Sequence, residues 1–304
     1  MSGNWAVQSR DSGTIQIDGD GKRLYQLCQG GRIYQINLAD SPSHCELIGN
    51  NPATVGIVCG DRRLYAVHGS GRVYRYGGFP LSSWTLVLSL PGLVGIAAAA
   101  DKVFALDGRG EILALDSDQW SQISSTDKIG KIVEIAAAEY QSGLPVDPFT
   151  FRSPSVNVYA RSEDGRIWQY KKKRWTLIGS NSNAVAIAAA QIEEVSQGPI
   201  QLTSRNPTVY RREKGGTIRR YSGTGEDWVQ ISKDDSGVVE MVASGLKVFR
   251  RNASGSIYNY LGPTTADWTR IGPLDIRVRT IGAANETVHK ILYSGEMSSY
   301  VFDE

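Results

Sequence analysis

Apolar and polar positions along this chain keep no helical period. They gather into short β-branched and aromatic runs separated by turn residues, and the runs return in a fixed order. The stretch Asn50 to Trp84 shows one whole unit: the apolar run Val55-Gly56-Ile57, the pair Leu64-Tyr65, a glycine turn, Val73-Tyr74-Arg75-Tyr76, and then a tryptophan. The first run has relatives in Ile15-Gln16-Ile17, Val94-Gly95-Ile96, Val133-Glu134-Ile135, Val185-Ala186-Ile187, Val239-Glu240-Met241 and Arg279-Thr280-Ile281. The aliphatic–aromatic pair returns as Leu24-Tyr25, Val103-Phe104, Val158-Tyr159, Val209-Tyr210 and Val248-Phe249. The third segment returns as Ile33-Tyr34, Ile112-Leu113, Ile167-Trp168, Ile218-Arg219 and Ile257-Tyr258. Trp5, Trp84, Trp120, Trp175, Trp228 and Trp268 mark the fourth, and Cys45 holds that place in Cys45-Glu46-Leu47-Ile48-Gly49.

Four short strands repeated about every 40 residues describe a four-stranded antiparallel propeller blade. Seven apolar runs therefore predict an all-β fold, a single seven-bladed β-propeller spanning residues 1–304 as one domain. Both faces of the strands are apolar, and stacking each blade between two neighbours removes both from water. Alanines in the first strands (Ala97 to Ala100, Ala136 to Ala138, Ala188 to Ala190) suit a crowded axis, so the apolar run lies innermost and the tryptophan strand outermost. The seventh unit supplies three strands, with Tyr300 and Phe302 set against Tyr258 and Tyr260, and the Trp5 strand is expected to complete that last blade. Two insertions, about Gln141 to Ser155 and about Gln191 to Asn206, fall between first and second strands of blades four and five. Both are expected as loops emerging side by side on one face.

Composition narrows the function. A chain of 304 residues with formal net charge +2 buries a large core but has no general affinity for nucleic acid. The run Lys171-Lys172-Lys173-Arg174 reads as a solvated turn. The start MSGNWAVQSRDSG lacks a secretory pattern and no apolar run reaches 18 residues, so the expectation is a soluble protein without membrane insertion, cytoplasmic or released without a signal. Cys28, Cys45 and Cys59 form an odd, irregular set suited to reduced thiols. His44, His68 and His289 are scattered, with no HxH or HExxH spacing, and no nucleophile elbow, P-loop or dinucleotide fingerprint appears. No metal and no cofactor are expected.

The unit from Asn50 onward, with NNPATV, RLYAVHGSGRVYRY and a following Trp, resembles the tectonin and tachylectin-like propeller repeats. The resemblance covers the chain as a period and implies a propeller. Many members of that group are lectins; some fungal proteins with similar repeats are cofactor-free cyclases for hetero-Diels–Alder steps in terpenoid formation. The leading expectation is thus a carbohydrate-binding propeller that takes glycans through loops on one face. The alternatives are such a cyclase, or a scaffold whose partner is another protein or a second copy of the chain.

Candidate residues lie in turns between second and third strands and in loops leading into first strands, which share a face. A sugar site needs amide, carboxylate and guanidinium groups for hydroxyls beside an aromatic face. Asn50, Asn51, His68 and Arg72 offer one such group, Asp107 and Arg109 another, and Glu163, Asp164 and Arg166 with Asn181 and Asn183 a third. The same residues are also ordinary turn formers. At the centre of the first strands Gln16, Gly56, Gly95, Glu134, Ala186, Glu240 and Thr280 form a column on the face opposite the paired Val/Ile positions. Its two carboxylates, Glu134 and Glu240, are the catalytic candidates if they face an axial channel; polar groups there otherwise hold water.

Overall fold

A computed structural model describes residues 3–9, 13–19, 23–37, 44–60, 63–78, 83–116, 118–124, 126–140, 155–195, 203–232, 237–262, 267–284 and 286–302. In sequence β1 (Gly3–Ser9) comes first. Blade one is β2 (Thr14–Gly19), β3 (Arg23–Cys28), β4 (Arg32–Asn37) and β5 (His44–Asn50); blade two is β6 (Thr54–Gly60), β7 (Arg63–His68), β8 (Arg72–Tyr76) and β9 (Trp84–Ser89). Blade three is β10 (Leu93–Ala99), β11 (Lys102–Asp107), β12 (Ile112–Asp116) and β13 (Gln119–Gln122). Blade four is β14 (Ile132–Glu139), β15 (Val156–Ser162), β16 (Ile167–Lys171) and β17 (Arg174–Gly179). Blade five is β18 (Ala184–Val195), β19 (Thr203–Glu213), β20 (Ile218–Tyr221) and β21 (Trp228–Gln230). Blade six is β22 (Val238–Ser244), β23 (Lys247–Asn252), β24 (Ile257–Tyr260) and β25 (Trp268–Arg270). Blade seven is β26 (Val278–Ala284), β27 (Thr287–Leu292) and β28 (Met297–Phe302), and β1 adds its fourth strand. The fold is a seven-bladed β-propeller of four-stranded antiparallel sheets, its last blade closed by the N-terminal strand. Contacts gather the chain into two compact units: residues 1–93 with 232–304, holding blades six, seven, one and two, and residues 94–231, holding blades three to five.

The hairpins between second and third strands of blades two to seven use the same turn. The carbonyl of His68 accepts the Gly71 N–H at 2.9 Å, and Gly71 at φ 79° continues the chain in a conformation that a side chain would strain. Ser162 with Gly165, Asn252 with Gly255 and Leu292 with Gly295 repeat it.

Apolar clusters fill the seams between sheets. Tyr25, Leu27, Ile33, Ile48, Ile57 and Leu64 join blades one and two; Tyr159, Ile167, Ile178, Ile187 and Val209 join blades four and five. Two kinds of hydrogen bond cross the same seams. Each of three indoles donates to the carbonyl of the preceding blade's outer strand: Trp84 to Ile48 at 2.9 Å, Trp175 to Ile123 at 2.7 Å and Trp228 to Ile178 at 2.6 Å. At the first strands Gln16 both accepts from the Ile57 N–H (2.9 Å) and donates to its carbonyl (2.8 Å). Asp18 accepts from the Cys59 N–H at 2.9 Å.

Three expectations need correction. In six blades a β-bulge falls at the first residue of the apolar run, as between Thr54 and Gly56 and between Val238 and Glu240. The bulge breaks the alternation. Val55 therefore stands 58% exposed while Ile57 is buried, and the two no longer share a face. Second, Tyr300 takes the place of Tyr260 rather than Tyr258: His289 pairs with Ser299 as Phe249 pairs with Asn259, and Tyr300 meets Trp5 as Tyr260 meets Trp268. Third, much of the insertion from Gln191 to Asn206 is strand rather than loop, because Gln191 to Val195 pair with Pro207 to Thr203 and lengthen the β18–β19 hairpin. The insertion from Gln141 to Ser155 lies outside the described residues, apart from Ser155, whose carbonyl accepts the Tyr140 N–H at 2.8 Å. Among the described residues no helix is long and apolar enough to cross a membrane.

Two predictions follow from polar groups buried in the blades. His289 stands where other blades place Tyr or Phe, with Nδ1 2.7 Å from Ser299 Oγ and Nε2 3.4 Å from the Ala284 carbonyl. Burial, opposed by the Ala284 bond, lowers its pKa to about 4. The folded ring stays neutral in the range where the unfolded chain takes up a proton, so stability is full above about pH 6.5 and falls as pH drops toward 4. Urea denaturation of His289→Phe is expected to lose that slope. Asn259, 1% exposed, has no hydrogen-bond partner for either amide atom and is paired with Phe249, whereas Gln169 in the same register reaches the Tyr159 hydroxyl at 3.4 Å. Asn259→Leu is expected to raise stability by about 1 kcal/mol in the same assay.

Candidate functional site

The residues that the sequence offers near Asn50 come together in a cleft of about 310 Å³ between blades one and two. Its floor is aliphatic (Ile33, Ile48, Ala66), its walls are Trp84 and Tyr74, and its polar edge is Thr54, His68, Asn50 and Asn51. The loop from β5 to β6 sets the edge. Asn51 Oδ1 accepts the Ala53 N–H at 3.0 Å and its carbonyl accepts the Thr54 N–H at 2.9 Å, a local turn that presents the loop at one height. The loop lies so close over blade one that a Cβ on Gly31, at φ 76°, would collide with the Asn51 carbonyl.

His68 ends β7 and stacks on Tyr74, ring centres 4.4 Å apart. Burial, and after it the charge of Arg72, lowers its pKa, so at neutral pH the imidazole is uncharged, with one nitrogen to donate and one to accept. Arg72 is exposed and acts on the site through its charge; it is not part of the lining. Trp84 is held by Tyr76, 5.1 Å between ring centres, and by its bond to Ile48.

Ala66 leaves room in the cleft. In blades five to seven the same register holds a cation that fills the space beneath the tryptophan: Arg211 lies 4.4 Å from the ring centre of Trp228, Arg250 4.5 Å from Trp268 and Lys290 4.8 Å from Trp5. A methyl group at Ala66 leaves that volume open under Trp84. The arrangement suits a small group with an apolar face and a hydrogen-bonding edge, and it holds no carboxylate or ammonium to bind an ion.

The other candidates are placed differently. Asp107 Oδ1 accepts the N–H groups of Arg109 and Glu111, and Asp107 Oδ2 meets Arg109 Nε at 2.9 Å. Burial works to raise the Asp107 carboxyl, but the Glu111 N–H and then Arg109 hold it below the usual carboxylate range. Glu163 and Asp164 line a hollow of about 260 Å³ with Gly130, Lys131 and Ser162. Arg166 bonds back to Asp164 at 2.7 Å. Asn181 repeats the turn of Asn51, accepting the Asn183 N–H at 2.8 Å, and donates to Glu213 at 2.8 Å.

Glu134 and Glu240 lie in different units, and each is held in a seam. Glu134 meets Arg161 at 2.8 Å and accepts from the Ile187 backbone; burial raises its pKa against those partners. Glu240 meets Arg251 at 2.9 Å, accepts from the Ile281 N–H at 3.1 Å and from the Thr280 hydroxyl. Both thus do what Gln16 does for Ile57. Among the described residues no group of three His, Cys, Asp or Glu gathers to hold a metal ion.

Sequence reasoning took Trp84 and Tyr74 as repeat positions of the scaffold and did not single out Ala66. The alanine alone gave little signal, since the same position reads Ala105 and Ala160 in blades three and four against Arg211, Arg250 and Lys290 in blades five to seven.

No protein-family model matches the chain, and no curated protein sequence does. Solved structures match over nearly its full length. The WD40 β-propeller domain of Doa1 superposes with TM-score 0.66 at 8% identity, covering 99% of this chain and 98% of that one. Yeast RCC1 (Prp20), in its structure bound to Kap60, gives 0.63 at 11% identity, covering 96% of this chain and 81% of that one. YCF48 bound to D1 peptide gives 0.61 at 12% identity, with 98% and 95% covered. At such identities the likeness is one of fold.

Ala66→Arg is expected to fill the cleft as Arg211 and Arg250 fill theirs. The variant should melt within a few degrees of the parent, and Trp84 should become less accessible to acrylamide quenching.

Proposed function

We propose that this chain is a protein-interaction propeller, a single domain of residues 1–304 that holds an extended segment of a partner protein on the face bearing the turns between second and third strands. One observation carries the reading. The bulge that opens the first strand turns a branched aliphatic side chain out into water: Val55, 58% exposed, and Val239, 41% exposed, both in the unit of residues 1–93 with 232–304. Side chains that served only the core would be buried, and covering each contributes roughly 1–2 kcal/mol. In the unit holding blade seven, exposed Leu274, Ile276 and Tyr293 add to it, with the Tyr293 N–H bonded to the Arg277 carbonyl at 2.9 Å. The cleft under Trp84, close to Val55, accepts one anchoring side chain. Two propellers of the same fold support the reading by what they bind: Prp20 holds Kap60, and YCF48 holds D1 peptide.

A second reading is favoured by the cleft itself. Aromatic walls with a neutral His68 and amides at the edge are the groups a sugar ring needs, which agrees with the tectonin-like repeat around Asn50 to Trp84. A photo-crosslinking residue placed at Val55, with one at exposed Lys173 as control, separates the two. The protein reading expects a defined partner captured at Val55 and not at Lys173, with affinity reduced at least tenfold by Val55→Asp at unchanged melting temperature. Saturable glycan-array binding that Ala66→Arg abolishes and Val55→Asp leaves intact would replace it with the sugar reading.

A further inference from the structure

Blade three closes the end of its β11–β12 hairpin opposite the turn with an ion pair, Lys102 Nζ to Asp116 Oδ1 at 2.7 Å. The register of the next two blades puts Asn157 and Lys171 in those places in blade four, and Thr208 and Ser222 in blade five. Neither pair can form the bridge, and a cavity of about 450 Å³ opens between the two blades, lined among others by all four of these residues, by Gln169 and by Lys172. Its volume is that of a small-molecule site.

Its chemistry is specific. Asn157 and Thr208 are buried, and so is the Tyr159 hydroxyl behind them, which accepts from Asn157 (3.5 Å) and Gln169 (3.4 Å) and donates to the Pro207 carbonyl at 3.0 Å. That network fixes the amides at the cavity wall. Lys171 and Lys172 bring two ammonium groups, and among the described residues no carboxylate pairs with either.

The lysine turn carries a second, independent sign. Lys172 and Lys173 join β16 to β17 with φ 51° and 61°, the left-handed pair of a tight hairpin. Asn-Gly is the favoured sequence there, and a lysine at such a position is strained. Strain kept in place of an easy alternative points to a function for the side chain.

We propose that this cavity binds a small anionic polyol with the chemistry of a sugar phosphate, the anion held by Lys171 and Lys172 and the hydroxyls by Asn157, Gln169 and Thr208. The full chain is titrated calorimetrically with glucose 6-phosphate, ribose 5-phosphate and gluconate, and with glucose and inorganic phosphate as controls. At least one of the three anions is expected to bind one to one, at least tenfold tighter than either control. Lys171→Gln and Lys172→Asn should each weaken that binding tenfold or more, and Lys172→Asn should also raise the melting temperature by relaxing the turn. Thr208→Lys with Ser222→Asp rebuilds the bridge of blade three inside the cavity, keeps the fold and should abolish binding. Silence from all three anions, equal binding of inorganic phosphate, or binding indifferent to these variants overturns the proposal.

Discussion

A sheet of four short strands with apolar residues on both faces has no stability alone, and every feature of this chain answers to that constraint. Water must be kept from two faces at once, which only a neighbouring sheet on each side achieves. The seams therefore carry the stability. A buried Ile48 or Tyr159 contributes about 1.5–3 kcal/mol by leaving water, whereas a crossing hydrogen bond such as Trp228 to Ile178 contributes about 1 kcal/mol net. Apolar burial thus decides that the blades stack. The crossing bonds add register, because each of these indole N–H groups meets one particular carbonyl of the neighbouring blade.

The same reasoning gives the first-strand carboxylates their place. Glu134 and Glu240 are expensive groups to desolvate, and an arginine beside each offsets that cost without adding much stability. What the pair adds is register. Glu240 touches the Ile281 backbone as Gln16 touches that of Ile57, so an uncharged amide performs the same task in blade one. A residue replaceable by glutamine in its own repeat is a fastener before it is an acid.

Much of this was legible in the chain because the repeat is a physical unit: a hydrophobic period near 40 residues with glycine at each turn leaves few other folds. What escaped reading was local. The bulge at Val55 shifts register by one residue, and nothing in Val55-Gly56-Ile57 marks it, since alternation and bulge share the same letters. Ser298 and Ser299 erased the aromatic signpost of blade seven, so Tyr300 was set two places out of line. The insertion read as a loop from Gln191 to Asn206, yet Gln191 pairs with Pro207 in β19, at a place where β20 has already ended. At the site, Asn51 and His68 were legible as polar letters in turns. The cleft they edge was not, because a cavity is made by what is missing, here the side chain that Arg211 and Arg250 supply elsewhere.

That last point orders the two cavities on one principle. A repeat protein offers the same positions in every blade, so the space between two blades is set by which side chain each copy places there. Ala66 stands where blades five to seven hold a cation beneath the tryptophan, and Asn157 and Thr208 stand where blade three holds the lysine of an ion pair. In both places the surrounding framework is intact, with Trp84 still bonded to Ile48 and Tyr159 still bonded to Pro207, so the space is not the collapse of a decayed blade. An open volume in an otherwise close-packed interior forgoes contacts its neighbours would make. The two volumes also differ in character, one aromatic and uncharged, the other amide-walled with two ammonium groups, because different side chains line them.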